Sequence, residues 1–558
     1  MKFSKYVMCA GIAALMASCA SDEPVSNPYA MPAGAGDADS YAVFSLALPE
    51  DGATRAEGDV EFAAGESTEY QIQNGKLLVF KKDNPSMADA DATFVAEVDL
   101  TGAIYSESDK ADLSREAQNV EVKFKKNTFE EGKSYYVAVV LNTSSNYSTP
   151  TVGMRLRAWN TSQTEDPFWY ESNGNHYLTF TSASKYVKDS AGTTVLTAID
   201  PSNLASTPDA VTTPMADLYV QRVMAKVSFN VKSKYTVGDD EAVVDGWSLD
   251  LTSVDANRIQ ITDGIATVLA KPFGHTEGGS FDRCYWAKSI NYGTFTASNW
   301  QSKLNHEIVF ENPATVKYHY VNENTNPYNM MKEAYNTRAV IRAKYTAAGI
   351  AAGKSFIVLE GSGIRWTIDD FEEAVYSKIV NLDTDTFVPA EDAQSAIQFK
   401  APGSKGGLYS FNQCFENIVG ADGKTLTETL GAEKTAAIVD AIATQIGIEG
   451  GAAAPAINYY KDGVCYYTVW VRHFNDSNSG IKWLTGDYVA AHEGRYGIVR
   501  NNWYDMTVNS ISGLGEPSIK ELDPDPDENI DKEDDGSTFI QVNLKMLNWA
   551  KRNQSVDL

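Results

Sequence analysis

Apolar residues along this chain fall into short runs, some alternating with polar residues and some solidly apolar, and Gly, Asn, Asp and Ser gather between the runs. That is the pattern of β-strands joined by turns. In Tyr41–Leu48, Phe44, Leu46 and Leu48 share one face with Val43 just before them, and Pro49 ends the run because proline cannot donate to a ladder. An Asn-Gly turn precedes Leu77–Phe80. Ser134–Leu141 (SYYVAVVL) is apolar almost throughout, which predicts a strand covered on both faces. Leu218–Val231 reads as one longer β segment, and Trp247–Leu251, Ala339–Tyr345, Ser355–Leu359, Tyr466–Phe474 and Trp503–Ile511 continue the series. Two helices are predicted. One opens at Thr367, an N-cap followed by acids in the first turn. The other covers Ala432–Ile446, where Ile438, Ile442 and Ile446 form a core-facing stripe. A polar break after Tyr235 divides an N-terminal domain (56–235) from a C-terminal one (236–520).

The end of the chain departs from this pattern. Residues 521–536 are nearly all acid and proline, a composition that cannot bury enough apolar surface to offset chain entropy, so they predict an extended linker. In the segment 537–558, Ile540, Val542, Leu544 and Met546 alternate with Gln541, Asn543 and Lys545, flanked by Phe539, Leu547 and Trp549. This is a strand with one buried face, held on a leash of about 15 residues that can span roughly 50 Å. A strand of the chain's own sheet needs no such leash, so the expectation is that it completes another molecule. Val43–Leu48 and Val542–Leu547 match in length, alternation and apolar size. Two segments able to fill one slot are what strand exchange requires.

The N-terminus adds an export signal over residues 1–18: Lys2 and Lys5, then the apolar Val7–Ala17, too short to span a bilayer. It ends Ala17-Ser18-Cys19, which resembles the bacterial lipobox and implies acylation of the Cys19 thiol. The small, polar loop Glu50–Asp59 holds Arg55, the one basic residue between Lys5 and Lys76, and such loops are where proteolytic nicking concentrates. With 558 residues the chain has room for about two to four domains. A formal charge of −27 argues against electrostatic binding of nucleic acid.

Signs of catalysis or cofactor binding are missing. His306-Glu307 and His492-Glu493 lack the second histidine of a zinc-protease helix. Asp383-Thr-Asp385 and Asp523–Asp527 lack the glycine of a calcium loop, so neither predicts a metal site. Cys284, Cys414 and Cys465 include no closely spaced pair and read as buried small hydrophobes. No enzyme and no cofactor is expected.

Taken together, Cys19, Arg222-Val-Met-Ala-Lys226-Val, Tyr496–Tyr504 (YGIVRNNWY) with Ile511, the acidic linker and the tail ending Ser555–Leu558 resemble the fimbrillins, the type V pilus subunits of Bacteroidales, above all the shaft subunit of minor fimbriae. The resemblance implies two tandem transthyretin-like β-sandwich domains, a few short helices and a tethered C-terminal donor strand. It implies a lipidated propeptide (19–55), cut between Arg55 and Ala56 by an arginine-specific protease. The cut frees a displaced strand containing Val43, Phe44, Leu46 and Leu48. The donor strand of another copy, Phe539 to Trp549, then fills the vacated groove, and because such a contact does not close it builds a filament. Partners implied are copies of the chain, anchor and tip subunits, a surface ligand and, before cleavage, the outer membrane. The alternatives are a surface lipoprotein that binds or cleaves glycans, and a fimbrial tip adhesin.

Overall fold

The computed structural model describes residues 39–47 and 65–548, except 101–104, 107–108, 111–117, 162–167, 187–192, 266–281, 380–396, 475–485 and 525–538 and the single positions 126, 146, 212, 285 and 523. The chain is mainly β with a few helices, and among the described residues its three largest buried clusters each draw on several strands.

The first sheet runs in the order Thr93–Asp99, Gly75–Lys82, Ser134–Leu141, Phe180–Ser182, Ala216–Arg222, Ser40–Ala47 and Gln118–Phe124, with Thr197–Ile199 also paired to Ser134–Leu141. Ser134–Leu141 has the bounds read from its sequence, and its apolar run is explained by burial of both faces. Val137, Val139 and Leu141 join Leu77, Val79, Phe44 and Val122 on one side. Tyr136, Ala138 and Val140 join Leu78, Phe80 and Trp159 on the other. Val95 and Val98 from one margin of the sheet pack into the same cluster as Val120 and Val122 from the opposite margin, so the sheet curls round it.

Leu218–Val231 is two strands, not one. Ala216–Arg222 belongs to the first sheet, while Ala225–Asn230 crosses into a second body and lies parallel to Asn502–Ile511. There, the sheet Tyr318–Val321, Ala225–Asn230, Asn502–Ile511, Ile540–Asn548 packs on the sheet Tyr235–Val237, Asp240–Asp250, Arg338–Thr346, Val464–Trp470. Phe229 and Trp247 stack across this sandwich at 4.9 Å. The polar break after Tyr235 is therefore no border. It is the tight turn of the hairpin Tyr235–Val237/Asp240–Ala242, with Gly238 at φ 64°, a conformation that glycine adopts without strain.

Residues 236–520 also hold more than one core. Between Arg338–Thr346 and Val464–Trp470 the chain inserts a separate small sheet containing Phe356–Leu359, Pro455–Tyr460 and Gly407–Ser410, covered by helices Ile368–Ile379 and Ala432–Gln445. Thr367 caps the first helix, its hydroxyl accepting from the Asp370 amide at 3.0 Å. On the second, Ile442 is fully buried, with Ile438 and Ile446 half-buried beside it. Cys284, Cys414 and Cys465 are buried, and burial pushes the Cys414 thiol to about 12 and that of Cys465 to about 11.

Candidate assembly site

The first strand, Ser40–Ala47, is an interior strand of the first sheet. It pairs antiparallel with Gln118–Phe124 from Ser40↔Phe124 to Leu46↔Gln118, and parallel with Ala216–Arg222 from Phe44↔Ala216 to Ala47↔Tyr219. Where the parallel ladder stops, Tyr41 exchanges two 2.9 Å bonds with Ala205 and the Met215 amide donates to Val43 at 2.7 Å, so both edges are satisfied along the strand. Alternation puts Ala42, Phe44 and Leu46 inward, each no more than 1% exposed, and Phe44 meets Phe124 edge to face at 6.4 Å. Val43 is half-buried. Gln118–Phe124 continues the inward set with Val120, Val122 and Phe124, while Asn119, Glu121 and Lys123 face out. Among the described residues its ladder partner is the first strand. Cys19, Leu48, Arg55, Ala56 and Trp549 lie outside the described residues.

The terminal strand, Ile540–Asn548, lies in the chain's own second sandwich, contrary to the expectation raised by its leash. It pairs antiparallel with Asn502–Ile511 at the edge of the sheet, from Ile511↔Ile540 to Asn502↔Asn548. Val542, Leu544 and Met546 stand in register opposite Val508, Met506 and Tyr504, whose side chains are fully buried; Ile540 is buried and Phe539 exposed. The leash has a topological reason. After Ile511 the chain passes along Val464–Trp470, bridged from Tyr466 to Glu516, and reaches the far end of the sandwich before it returns. There, Lys520 pairs with Glu333 at 2.5 Å, Arg338 donates to the Lys520 carbonyl at 3.3 Å and Tyr335 to that of Pro524 at 2.8 Å. The return from Pro524 to Ile540 must cover the length of the sandwich.

The two short motifs that carried the resemblance come together where the first sheet meets the second body. Arg222 donates to the Asn501 side chain at 3.1 Å and to the Glu69 carbonyl at 2.7 Å, and the Asn501 amide donates to Met224 at 2.9 Å. Lys226 pairs with Glu69 at 2.7 Å, both fully buried, with its ammonium over the Trp503 and Tyr318 rings at 3.9 and 4.1 Å. Burial works against both charges and draws the Lys226 ammonium below its usual value. Burial likewise raises Glu69, but Lys226, the Tyr320 hydroxyl and Arg222 outweigh it and hold the carboxyl below its ordinary range. Nearby, Arg500 pairs with buried Glu323 at 2.8 Å and donates to the carbonyls of Asn257 and Arg258. Arg222, Asn501, Glu69 and Lys226 clasp one body to the other. Glu69 went unread in the sequence because nothing local announces a partner 157 positions away.

The histidines are scattered: His306 contacts Asp250, His319 contacts Glu311 and His473 contacts Tyr504. Among the described residues no group of three His, Cys, Asp or Glu side chains is placed to hold a metal, and no helix is long and apolar enough to cross a membrane.

Residues 458–555 match the family model described as major fimbrial subunit protein type IV, fimbrillin, C-terminal. No curated protein matches the chain. Solved structures similar to it include a candidate cell adhesion protein from Parabacteroides distasonis (11% identity, 92% of this chain and 99% of that one, TM-score 0.37). A fimbrilin from Porphyromonas gingivalis (12%, 92% and 98%, 0.32) and a fimbrial assembly protein from Parabacteroides distasonis (11%, 54% and 96%, 0.25) are also similar. At these scores the shapes carry no argument, and the weight falls on the matched segment. That segment contains Asn501, Trp503, the strand Asn502–Ile511 and the terminal strand paired to it, and it is the part of this chain that is similar to the fimbrillins.

Proposed function

We propose that this fimbrial subunit is the repeating shaft unit of its filament, exported as a lipoprotein through Cys19, cut after Arg55, and joined head to tail by donor-strand exchange. In this reading residues 537–558 of one copy enter the slot that Tyr41–Leu48 holds in the next. The observation that carries it is the placing of the two strands. The first is an interior strand joined to the body through the loop that holds Arg55, and the terminal one is an edge strand of like pattern on a long leash.

Counting ladders does not by itself drive the exchange. A donor that fills the neighbour's slot gains two ladders but vacates one at home, and the old strand loses two. One term favours it: a severed strand, once displaced, is lost to dilution, so cutting makes the step one-way.

The test is to treat the 20–558 protein briefly with an arginine-specific protease, then sequence the new N-terminus and run unboiled gels. A terminus at Ala56 together with a ladder of multimers, absent when residues 537–558 are deleted, is expected. Cleavage that yields only monomers overturns the shaft reading in favour of a glycan-binding or glycan-cleaving surface lipoprotein. Multimers that form without the tail point to a tip adhesin or another mode of joining.

A further inference from the structure

The slot has one wall that the first strand itself holds in place. Gln118–Phe124 is the last strand of its sheet and, among the described residues, joins the ladder only through Ser40–Ala47. Its inward residues Val120, Val122 and Phe124 belong to the core, so it cannot simply swing out without opening that core to water. On the opposite wall, the carbonyls and amides of Ala205, Met215 and Ala216–Tyr219 that face the first strand are also its partners. Emptying the slot would leave two rows of backbone groups unpaired, one of them on a strand with no other ladder among the described residues.

Resting on the strand-exchange reading, we propose that the first strand stays docked after the chain is cut and leaves only as a second copy's terminal strand enters. The acceptor site is therefore never an open groove waiting for its partner. Cutting licenses the exchange and the incoming strand performs it, pairing with Gln118–Phe124 and Ala216–Arg222 as the old strand peels away. A cut subunit at low concentration stays folded and monomeric, which protects the exposed-edge hazard of an unpaired sheet until a donor is at hand.

The experiment uses the full 20–558 chain, cut in the Glu50–Asp59 loop at a concentration where it is monomeric. Gel filtration with mass spectrometry follows the fragment that contains residues 40–47, and hydrogen exchange follows 118–124. A synthetic peptide of residues 537–552 serves as the incoming strand. The expected result is that the fragment co-elutes with the body, that 118–124 remains protected, and that added peptide releases the fragment at a rate rising with peptide concentration. Release on cutting alone, release at a rate independent of peptide, or retention at every peptide concentration overturns the proposal, whatever 118–124 does. If Arg55 resists the protease, a specific cleavage site inserted in the same loop delivers the same test. Peptide exchange without filaments would sink the shaft reading while leaving this coupling intact.

Discussion

Two strands from opposite ends of the chain dock on their own molecule in different ways. Ser40–Ala47 is bonded on both edges and holds Ala42, Phe44 and Leu46 at the centre of a curled sheet, whereas Ile540–Asn548 is bonded on one edge at the margin of a sandwich. An interior strand cannot leave without unmaking its sheet. An edge strand gives up one ladder, and the remaining three strands keep their pairing. The difference assigns roles that the similar sequences could not: one strand is a keystone, the other a removable rim.

The contrast can be broken most strongly at Phe44. Phe44→Ala should cost about 3–5 kcal/mol, the range for emptying a large core position. The loss should fall on the first sheet alone, read by urea unfolding with hydrogen exchange resolved by region; an equal loss in the second sandwich would mean that the two bodies unfold as one. The clasp between them comes next. Lys226→Met leaves Glu69 buried without its cation and should cost about 3 kcal/mol, while adding Glu69→Leu should recover most of it, because removing both partners leaves no uncompensated charge. A double variant no more stable than the single, in the same urea titration, would contradict that account.

At the rim the effect should be smaller. Ile540→Ala is expected to cost about 2 kcal/mol, the low end for a buried aliphatic, since an edge strand can shift to close the gap. It should leave exchange at residues 118–124 unchanged and weaken exchange protection along Asn502–Ile511. The smallest effect is on the acid limb. Glu69 has a lowered folded value, so its contribution is fully present above its ordinary value of 4.5 and is lost as pH falls below that through the folded value. Glu69→Gln should therefore flatten the acid side of a stability-against-pH curve and leave the region above about pH 5.5 parallel to wild type.

Much of this was legible from pattern. Ser134–Leu141 carried its own limits because every residue after Ser134 is apolar or aromatic, and both faces are in fact buried. The helix Ala432–Gln445 followed from spacing. Leu218–Val231 misled because Val223 and Met224, where the chain changes sheet, are as apolar and as buried as their neighbours. Gln118–Phe124 has a clear alternation, yet its importance lies in having one ladder partner among the described residues, a property of the sheet order and not of the strand.

Local chemistry, then, determined that the chain is mainly β, where most strands and the two longest described helices lie, and that two distant segments share one apolar alternation. Periodicity and composition act over a few residues, and those properties are set over a few residues. The tertiary structure alone decided which of the two strands is interior and which is edge, that Glu69 meets Lys226, and that the leash returns the terminal strand to its own sandwich. Each of these depends on contacts between residues far apart in the chain, whose energies arise only when the chain has closed on itself.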